Sequence, residues 1–221
     1  MKRKVLIVIA TEIESLVFRR LASPAKDISL EILITGVGTI ATARSLSRYF
    51  ALNEHPVLAV NAGIAGSYNQ NLIVGTAGVV SRDCFADFGV DDHGEFIPAI
   101  KAGLVDDENP FDSDGWIESN NIYTRKLEKH HNFITGITSD TVSGSEQRIE
   151  MIKNRFNPDI ESMEGASFCY ICALERVPYV AVRAVSNMVE ERDRKKWHIP
   201  LALGTLREKA EEILTLLFTA E

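Results

Sequence analysis

Short apolar runs alternate with amphipathic stretches along most of the chain. Runs rich in β-branched residues predict strands at residues 4–10, 29–36, 56–63, 75–85, 133–139, 159–163 and 179–186. Apolar residues at helical spacing predict helices at residues 12–22, 39–52, 145–156, 164–175 and 201–219. This alternation indicates an α/β fold with helices on both faces of a largely parallel sheet. Because no repeat, linker or change of composition divides the chain, we expect a single domain over residues 1–221.

The composition narrows the class of protein. With 221 residues, 45% of them hydrophobic, and a formal net charge of −7, the chain is typical of globular proteins and poorly suited to nucleic acid. The negative net charge does not exclude a small anionic ligand, because one or two arginines are enough to bind it. The N-terminal apolar run covers only about seven residues before Thr11, and no run reaches the roughly 20 apolar residues of a membrane span. We therefore expect no membrane segment and place the protein in the cytoplasm, where its three cysteines stay reduced.

Polar side chains stand where several predicted strands end. In a sheet of this kind, ligands bind beyond the carboxyl ends of the strands. The polar residues at these ends are Thr11, Glu12, Glu14, Asn61, Glu164, Ser186 and Asn187, with Met163 beside Glu164. Two carboxylates at two strand ends suit glycosidic bond cleavage, in which one activates water and the other stabilises a cationic sugar. Helix capping is the alternative role for either carboxylate alone.

Three weaker motifs indicate structure more than chemistry. The stretch "GVGTIA" at residues 36–41 matches a dinucleotide fingerprint, but it follows the second strand, so a tight turn near a ligand is the preferred interpretation. Cys169 and Cys172 lie in an apolar helical stretch and are interpreted as core residues. The five histidines show no helical i, i+4 pairing. We expect neither an organic cofactor nor a metal.

Four stretches together resemble one known superfamily. They are "ATEIES" at 10–15, "TGVGTIATA" at 35–43, "NAGIAGS" at 61–67 and "SMEGASFCYICALERVPYVAVRAVSN" at 162–187. Their order and spacing are similar to those of the nucleoside phosphorylases and 5'-methylthioadenosine/S-adenosylhomocysteine nucleosidases. The agreement covers nearly the whole chain and is weakest from 90 to 135. The resemblance implies a single α/β domain with a twisted mixed sheet surrounded by helices.

The resemblance also implies roles for individual residues. Glu14 corresponds to the glutamate that activates water, and Met163 and Glu164 correspond to the pair that binds ribose. The resemblance places Thr141 and Val142 around the base. It places Val37 and Trp197 around the 5' group. Because this superfamily forms dimers or larger assemblies, we expect a homo-oligomer. The irregular segment 87–118, which is rich in Gly, Pro and Asp and includes Phe88, is the predicted interface.

Two departures from the superfamily's pattern bear on the reaction. The phosphorylases hold phosphate with an arginine and a serine at places that correspond here to Asn61 and Ile64, so water is favoured as the nucleophile. The adenine-specific nucleosidases have an aspartate where this chain has Asn187. A carboxamide offers both a donor and an acceptor, which suits the edge of a 6-oxopurine such as hypoxanthine.

The stretch "ERDRKKWHI" at residues 191–199 resembles the same segment of the futalosine hydrolases, a branch of this superfamily in an alternative menaquinone pathway. Their substrate carries an aromatic carboxylate on its 5' side, which Trp197 could stack on and Arg192 or Arg194 could pair with. A solvated charged loop is the alternative. We expect hydrolysis of futalosine, with a 5'-methylthioadenosine nucleosidase, a 6-oxopurine nucleoside phosphorylase and a non-catalytic nucleoside-binding protein as the other interpretations.

Overall fold

Strands and helices alternate through the part of the chain that the computed structural model describes, residues 2–106 and 110–219. The strands are β1 Arg3–Ile9, β2 Ile28–Ile34, β3 Leu58–Ser67, β4 Ala77–Cys84, β5 Gly89–Asp92, β6 Glu95–Pro98, β7 Trp116–Glu118, β8 Phe133–Thr138, β9 Ile160–Ser162 and β10 Tyr179–Met188. The helices are α1 Glu12–Phe18, α2 Thr39–Leu52, α3 Ile122–Leu127, α4 Glu146–Phe156, α5 Gly165–Leu174 and α6 Ile199–Phe218, with a 3-10 turn at Arg194–Lys196.

The main sheet closes partly on itself. Its strand order is β10-β4-β8-β9-β3-β1-β2, and β10 also pairs with β3. Strands β3, β10, β4, β8 and β9 therefore form a ring, which β1 and β2 extend and to which β7 is added beside β4. The pairs β1–β2, β1–β3, β3–β10, β4–β8 and β8–β9 are parallel, whereas β4–β10, β3–β9 and β4–β7 are antiparallel. The sheet is mixed, as the resemblance implied, and less parallel than the apolar pattern alone indicated.

Helices cover both faces of the sheet. On one face α6 buries its apolar stripe, which includes Leu206, Ala210 and Ile213, against apolar residues of β1, β3 and β10. On the other face α2 and α5 pack through residues such as Leu46 and Phe168. Strands β1, β3 and β10 are therefore apolar on both sides, which explains their nearly continuous apolar runs in the sequence. The α/β fold class is confirmed.

The predicted elements differ from the structure mainly around the third strand and the irregular segment. The prediction that the third strand ends near Asn61 was wrong, because β3 continues to Ser67. Its second half contains small residues that disfavour an isolated strand, but pairing with β10 and β9 keeps it extended. Segment 87–118 contains the hairpin β5–β6 and the short strand β7, of which its pattern gave no sign, and residues 107–109 lie outside the described part.

Candidate active site

The Glu14 carboxylate lies between the start of α1 and the middle of β3. Thr11 is the N-cap of α1, and Glu14 completes a capping box, because its Oε2 accepts hydrogen bonds from Thr11 N at 3.1 Å and Thr11 Oγ1 at 2.7 Å. Its Oε1 accepts a hydrogen bond from the N–H of Ile64 at 3.2 Å. Only 7% of the residue is exposed. Glu14 therefore caps the helix and, with its other oxygen, lies against the strand at the predicted site.

Glu164 reaches across the sheet to the glycine turn between β2 and α2. It precedes α5, and its Oε1 accepts a hydrogen bond from the N–H of Gly38 at 3.0 Å. Gly36 and Gly38 both have a φ of +91°, a conformation that residues with a Cβ rarely adopt. The stretch "GVGTIA" is thus a tight strand-to-helix turn, as interpreted, and its N–H binds a carboxylate of the same chain.

Glu14 and Glu164 share one electrostatic environment. Burial raises the pKa of Glu164, and the negative charge of Glu14 raises it further. The hydrogen bond from Gly38 and the positive charge of Arg183 act in the opposite direction and lower this pKa. The structure therefore brings the two carboxylates predicted from separate strand ends to one place.

Arg183 is a residue of this site that the strand-end search missed. It lies in β10 with only 2% exposure, and its guanidinium donates hydrogen bonds to the carbonyl of Asn61 at 3.2 Å, to the carbonyl of Val182 at 3.0 Å and to the Asn61 side-chain oxygen. A Cβ added at Gly63 would lie 3.4 Å from Glu14 Oε1 and 3.7 Å from Arg183 Nε. Cation and carboxylate thus approach the same point of β3. The sequence does show a single charged residue inside an apolar strand. Arginine is almost never fully buried unless it is paired, so this position could have been recognised.

Asp83 is a third buried carboxylate close to this site. It lies inside β4, so no strand end marks it, and it is 2% exposed. Thr138 Oγ1 donates a hydrogen bond to its Oδ1 at 2.9 Å, and a Cβ added at Gly165 would lie 2.1 Å from its Oδ2. Burial raises the pKa of Asp83 to about 7, although Arg183 acts to lower it. Asp83 therefore packs directly against the first residue of α5, next to Glu164.

Asn187 lies where β10 is bulged. The register between β10 and β3 shifts between Val185 and Asn187, and bulges of this kind redirect side chains beside sites. Asn187 Oδ1 accepts a hydrogen bond from Ser186 Oγ at 2.8 Å, and its Nδ2 donates to the Met188 carbonyl at 3.0 Å. A Cβ added at Gly66 would lie 3.2 Å from Nδ2. The oriented carboxamide keeps one N–H and one oxygen lone pair for a ligand.

Strand β3 connects the carboxylates with this carboxamide. The N–H of Ile64 binds Glu14, and Gly66 lies beside Asn187. Two residues of extended strand span about 7 Å, at roughly 3.3 Å per residue. The arrangement can thus place a carboxylate at one end of a small ligand and a donor–acceptor pair at the other.

The loop 139–144 between β8 and α4 contains Thr141 and Val142. The Asp140 carboxylate accepts a hydrogen bond from the N–H of Thr39 at 2.8 Å, which holds the loop beside the glycine turn. Thr141 is exposed and Val142 is half-buried. Within the described residues, neither the N–H nor the C=O of Val142 makes a hydrogen bond. This residue therefore offers a free backbone donor and acceptor.

The segment 190–198 borders the Asn187 end. Arg192 donates its N–H to the carbonyl of Gly144 at 3.3 Å, which places it beside the loop 139–144. Asn187, Arg192 and the half-buried Trp197 line a common depression together with Ser143. The structure thus brings Trp197 and Arg192 together with the predicted base-binding residue.

The remaining predicted residues lie around these groups. Arg194 is exposed on the 3-10 turn, Val37 is 54% exposed on the glycine turn, and Met163 is half-buried next to Glu164. Phe88 is 45% exposed, and its ring lies 6.0 Å from that of Phe85. The place of Phe88 in a subunit interface stays a prediction.

Two other kinds of functional feature are absent from the described part of the chain. Over residues 2–106 and 110–219, no group of three or more His, Cys, Asp or Glu side chains is arranged to hold a metal ion. None of the helices in these ranges has the length and apolar character needed to span a membrane. Cys169 and Cys172 are free and buried in α5, in agreement with their interpretation as core residues.

Comparison with known proteins places the chain in a family. Residues 28–220 match the model of the phosphorylase superfamily. The chain is 29% identical to a futalosine hydrolase of Thermus thermophilus over 82% of this chain and 80% of the relative. It is 27% identical to a 5'-methylthioadenosine/S-adenosylhomocysteine nucleosidase of Glaesserella parasuis over 84% and 78% of the two chains. The solved structure of such a nucleosidase from Neisseria meningitidis superposes with a TM-score of 0.77 at 18% identity, covering 96% of this chain and 99% of that one.

Proposed function

The chain belongs to the phosphorylase superfamily and is an N-glycosyl hydrolase of the nucleosidase kind, and we propose that it hydrolyses futalosine to hypoxanthine and dehypoxanthine futalosine. Three relatives named futalosine hydrolase, at 28–30% identity, support this substrate. The reaction belongs to the futalosine route to menaquinone and would take place in the cytoplasm.

The observation that carries the proposal is the position of the Glu14 carboxylate on the N–H of Ile64. Asn61 and Ile64 occupy the places that correspond to phosphate ligands in the phosphorylases. The Asn61 amide is engaged on both sides, because Nδ2 donates to the Val8 carbonyl at 3.0 Å and Oδ1 accepts from Arg183. The N–H of Ile64 is already bound to the Glu14 carboxylate, whose negative charge disfavours phosphate at these places. This arrangement supports water, rather than phosphate, as the nucleophile.

In the proposed mechanism Glu14 acts as the general base. It orients a water molecule towards C1' of the ribose and takes its proton as the C1'–O bond forms and the C1'–N9 bond breaks. The Arg183 guanidinium, which donates hydrogen bonds to two backbone carbonyls, lies beside Glu14 at Gly63 of β3.

Glu164 acts on the sugar. Its carboxylate accepts hydrogen bonds from the 2' and 3' hydroxyls, with Met163 forming the floor, and its negative charge stabilises the oxocarbenium-like transition state. Its hydrogen bond with Gly38 fixes one oxygen before the substrate arrives. Less reorganisation is then needed during the reaction.

Asn187 binds the departing base. The electron pair of the broken C1'–N9 bond stays on hypoxanthine, and the free N–H of Asn187 hydrogen-bonds the N7 or O6 edge as negative charge develops there. The free N–H and C=O of Val142 complement the O6 acceptor and N1–H donor of the same purine. Because a carboxamide is not an acid at neutral pH, the base acquires its proton from solvent.

The 5' side of the substrate lies towards Trp197, with Arg192 or Arg194 as the partner of its carboxylate. Arg192 lies nearer the base end, since its N–H binds Gly144, whereas Arg194 projects from the exposed 3-10 turn. An arginine fork binds a carboxylate through two parallel hydrogen bonds. If one of these arginines binds the substrate carboxylate, added phosphate should leave the affinity for the substrate unchanged.

Release of free base from futalosine, 5'-methylthioadenosine and inosine, each with and without phosphate, tests the proposal. Hypoxanthine from futalosine at a rate that phosphate does not change is the expected result. Adenine from 5'-methylthioadenosine as the main product would assign the chain to the second nucleosidase activity, which its relatives at 21–27% identity represent. Cleavage of inosine only with phosphate would assign it to the phosphorylases.

A further inference from the structure

Glu161 is a buried carboxylate that none of the steps above uses. It lies in the middle of β9, two residues before Met163, and is 6% exposed. Its Oε1 accepts a hydrogen bond from the N–H of Ser143 at 2.8 Å. Its Oε2 accepts hydrogen bonds from Ser143 Oγ at 2.5 Å and from the hydroxyl of Tyr68 at 2.9 Å. One side chain thus joins β9, the residue after β3 and the loop 139–144.

These contacts orient the backbone of the loop at its functional part. Ser143 follows Val142 directly, so fixing the N–H of Ser143 also fixes the plane of the peptide group that contains the Val142 carbonyl. Ser143 also lines the depression that contains Asn187. The Val142 carbonyl is therefore held through Glu161 beside the depression that contains Asn187.

We propose that Glu161 is a positioning residue for the purine, which orders the loop 139–144 through Ser143 without touching the substrate. The proposal rests on the proposed function only in taking this loop as part of a base-binding site. It concerns the affinity for the base and not the cleavage step.

The strength of the Glu161 contacts supports this role. Hydrogen bonds to an ionised acceptor are about twice as strong as neutral ones, and all three donors belong to residues that are at most 6% exposed. Burial, together with the negative charge of Glu161, raises the pKa of Tyr68, so its hydroxyl stays protonated and donates. The low exposure of all three residues shields these hydrogen bonds from competition with solvent.

The side chains of Arg148 and Asp140, which also hold the loop, are less buried than Glu161. Arg148 Nη2 donates to Ser139 Oγ at 2.7 Å, and Asp140 Oδ2 accepts from Thr39 Oγ1 at 2.5 Å. Both contacts involve partly or fully exposed residues, so competition with water weakens them. Glu161 is thus the buried anchor of the loop among these contacts.

Asp159 provides a matched control on the neighbouring stretch of chain. Its carboxylate also accepts three hydrogen bonds, from Thr135 N at 2.7 Å, Thr135 Oγ1 at 3.1 Å and Asn69 Nδ2 at 2.8 Å. These partners lie in β8 and in the turn after β3, away from the loop 139–144. Replacing Asp159 by alanine removes the same number of hydrogen bonds to a carboxylate and leaves the contacts of Ser143 in place.

The experiment compares wild type, Glu161→Ala and Asp159→Ala by calorimetric titration with hypoxanthine, adenine and the ribose-bearing product. We expect Glu161→Ala to lose at least about tenfold in affinity for whichever purine the wild type prefers, because two loop contacts to a buried carboxylate are lost. Its affinity for the ribose-bearing product should stay within about threefold of wild type. Asp159→Ala should keep the wild-type affinity for the purine.

Two results would overturn the proposal. One is an unchanged purine affinity in Glu161→Ala, and the other is an equal loss for purine and ribose product, which a general structural role predicts. If Glu161→Ala does not fold, Ser143→Ala and Glu161→Gln replace it, and wild-type purine affinity in both would contradict the proposal. Which purine the wild type prefers tests the proposed function separately.

Discussion

The proposed hydrolytic end of the site, with Glu14 and Glu164, and its proposed entrance, the segment 190–198, are built in opposite ways. At the hydrolytic end, Glu14 and Glu164 are largely withdrawn from solvent, and each is bound by a backbone N–H from a distant part of the chain. At the entrance, the segment 190–198 carries exposed charges, of which Lys196 pairs with Glu190 at 2.8 Å. Groups that stabilise a transition state gain from being fixed in advance. Groups that recognise a variable substituent pay an entropic cost when they order on binding.

The largest expected effect comes from the hydrolytic end. We expect Glu14→Gln to lower kcat by about 10²- to 10⁴-fold, since an amide cannot accept the proton of water. Steady-state rates of hypoxanthine release measure this. Glu12→Gln is the matched control, because the Glu12 side chain is 70% exposed and pairs with Arg19 on the surface. Equal rates for Glu14→Gln and wild type would remove Glu14 from the mechanism.

Asp83, which is buried beside Glu164, should make the stability of the protein depend on pH. Its pKa of about 7 in the folded protein lies above the ordinary value of 3.8, so the folded state binds the proton more tightly than the unfolded state. The stabilisation is complete below about pH 4 and is lost as the pH rises to about 7, which lowers the free energy of unfolding by up to roughly 4 kcal/mol. Asp83→Asn cannot titrate. Urea unfolding across this pH range should therefore show wild type losing stability relative to Asp83→Asn, and parallel curves would contradict the assignment.

Asn187 stands between the two regions, and its replacement should change selectivity more than rate. In Asn187→Asp the new carboxylate loses the hydrogen bond to the Met188 carbonyl but keeps the one from Ser186. We expect the ratio of kcat/KM for futalosine to that for 5'-methylthioadenosine to fall by about 10- to 100-fold, in line with 1–3 kcal/mol for a lost buried hydrogen bond. An unchanged ratio would show that Asn187 does not read the base.

The smallest effect is expected at the entrance. Arg192→Gln and Arg194→Gln should raise KM for futalosine by at most about tenfold with little change in kcat, since an exposed ion pair contributes roughly 0–1 kcal/mol and a well-formed fork somewhat more. The arginine that binds the carboxylate should show the larger effect, and lysine should not restore it. Neither variant should alter KM for 5'-methylthioadenosine, which lacks the carboxylate. A large drop in kcat for either variant would show that the segment 190–198 takes part in the cleavage step, which contradicts the prediction.

Sequence reasoning found the residues whose setting is local. Glu14, Glu164 and Asn187 stand at or near the ends of apolar runs, and a strand end is visible in a short window. The glycine turn at Gly36 and Gly38 was equally readable, because positive φ angles require glycine. The mixed sheet came from the resemblance and not from the pattern.

The features that were missed depend on contacts between distant parts of the chain. Arg183 is stabilised by Asn61, which lies 122 residues away, and Glu161 by Tyr68, which lies 93 residues away. The length of β3 depends on its pairing with β10 and β9, which also closes the ring. No local pattern encodes such pairings, since strand propensity is dominated by context.

The central claim is that water, activated by Glu14, attacks C1'. Futalosine hydrolysis in heavy-oxygen water, followed by mass spectrometry of the ribose-bearing product, tests this directly. We expect one heavy oxygen at C1', at the same rate with and without phosphate, and far slower incorporation in Glu14→Gln. A product that carries phosphate at C1', or incorporation in Glu14→Gln as fast as in wild type, would contradict it.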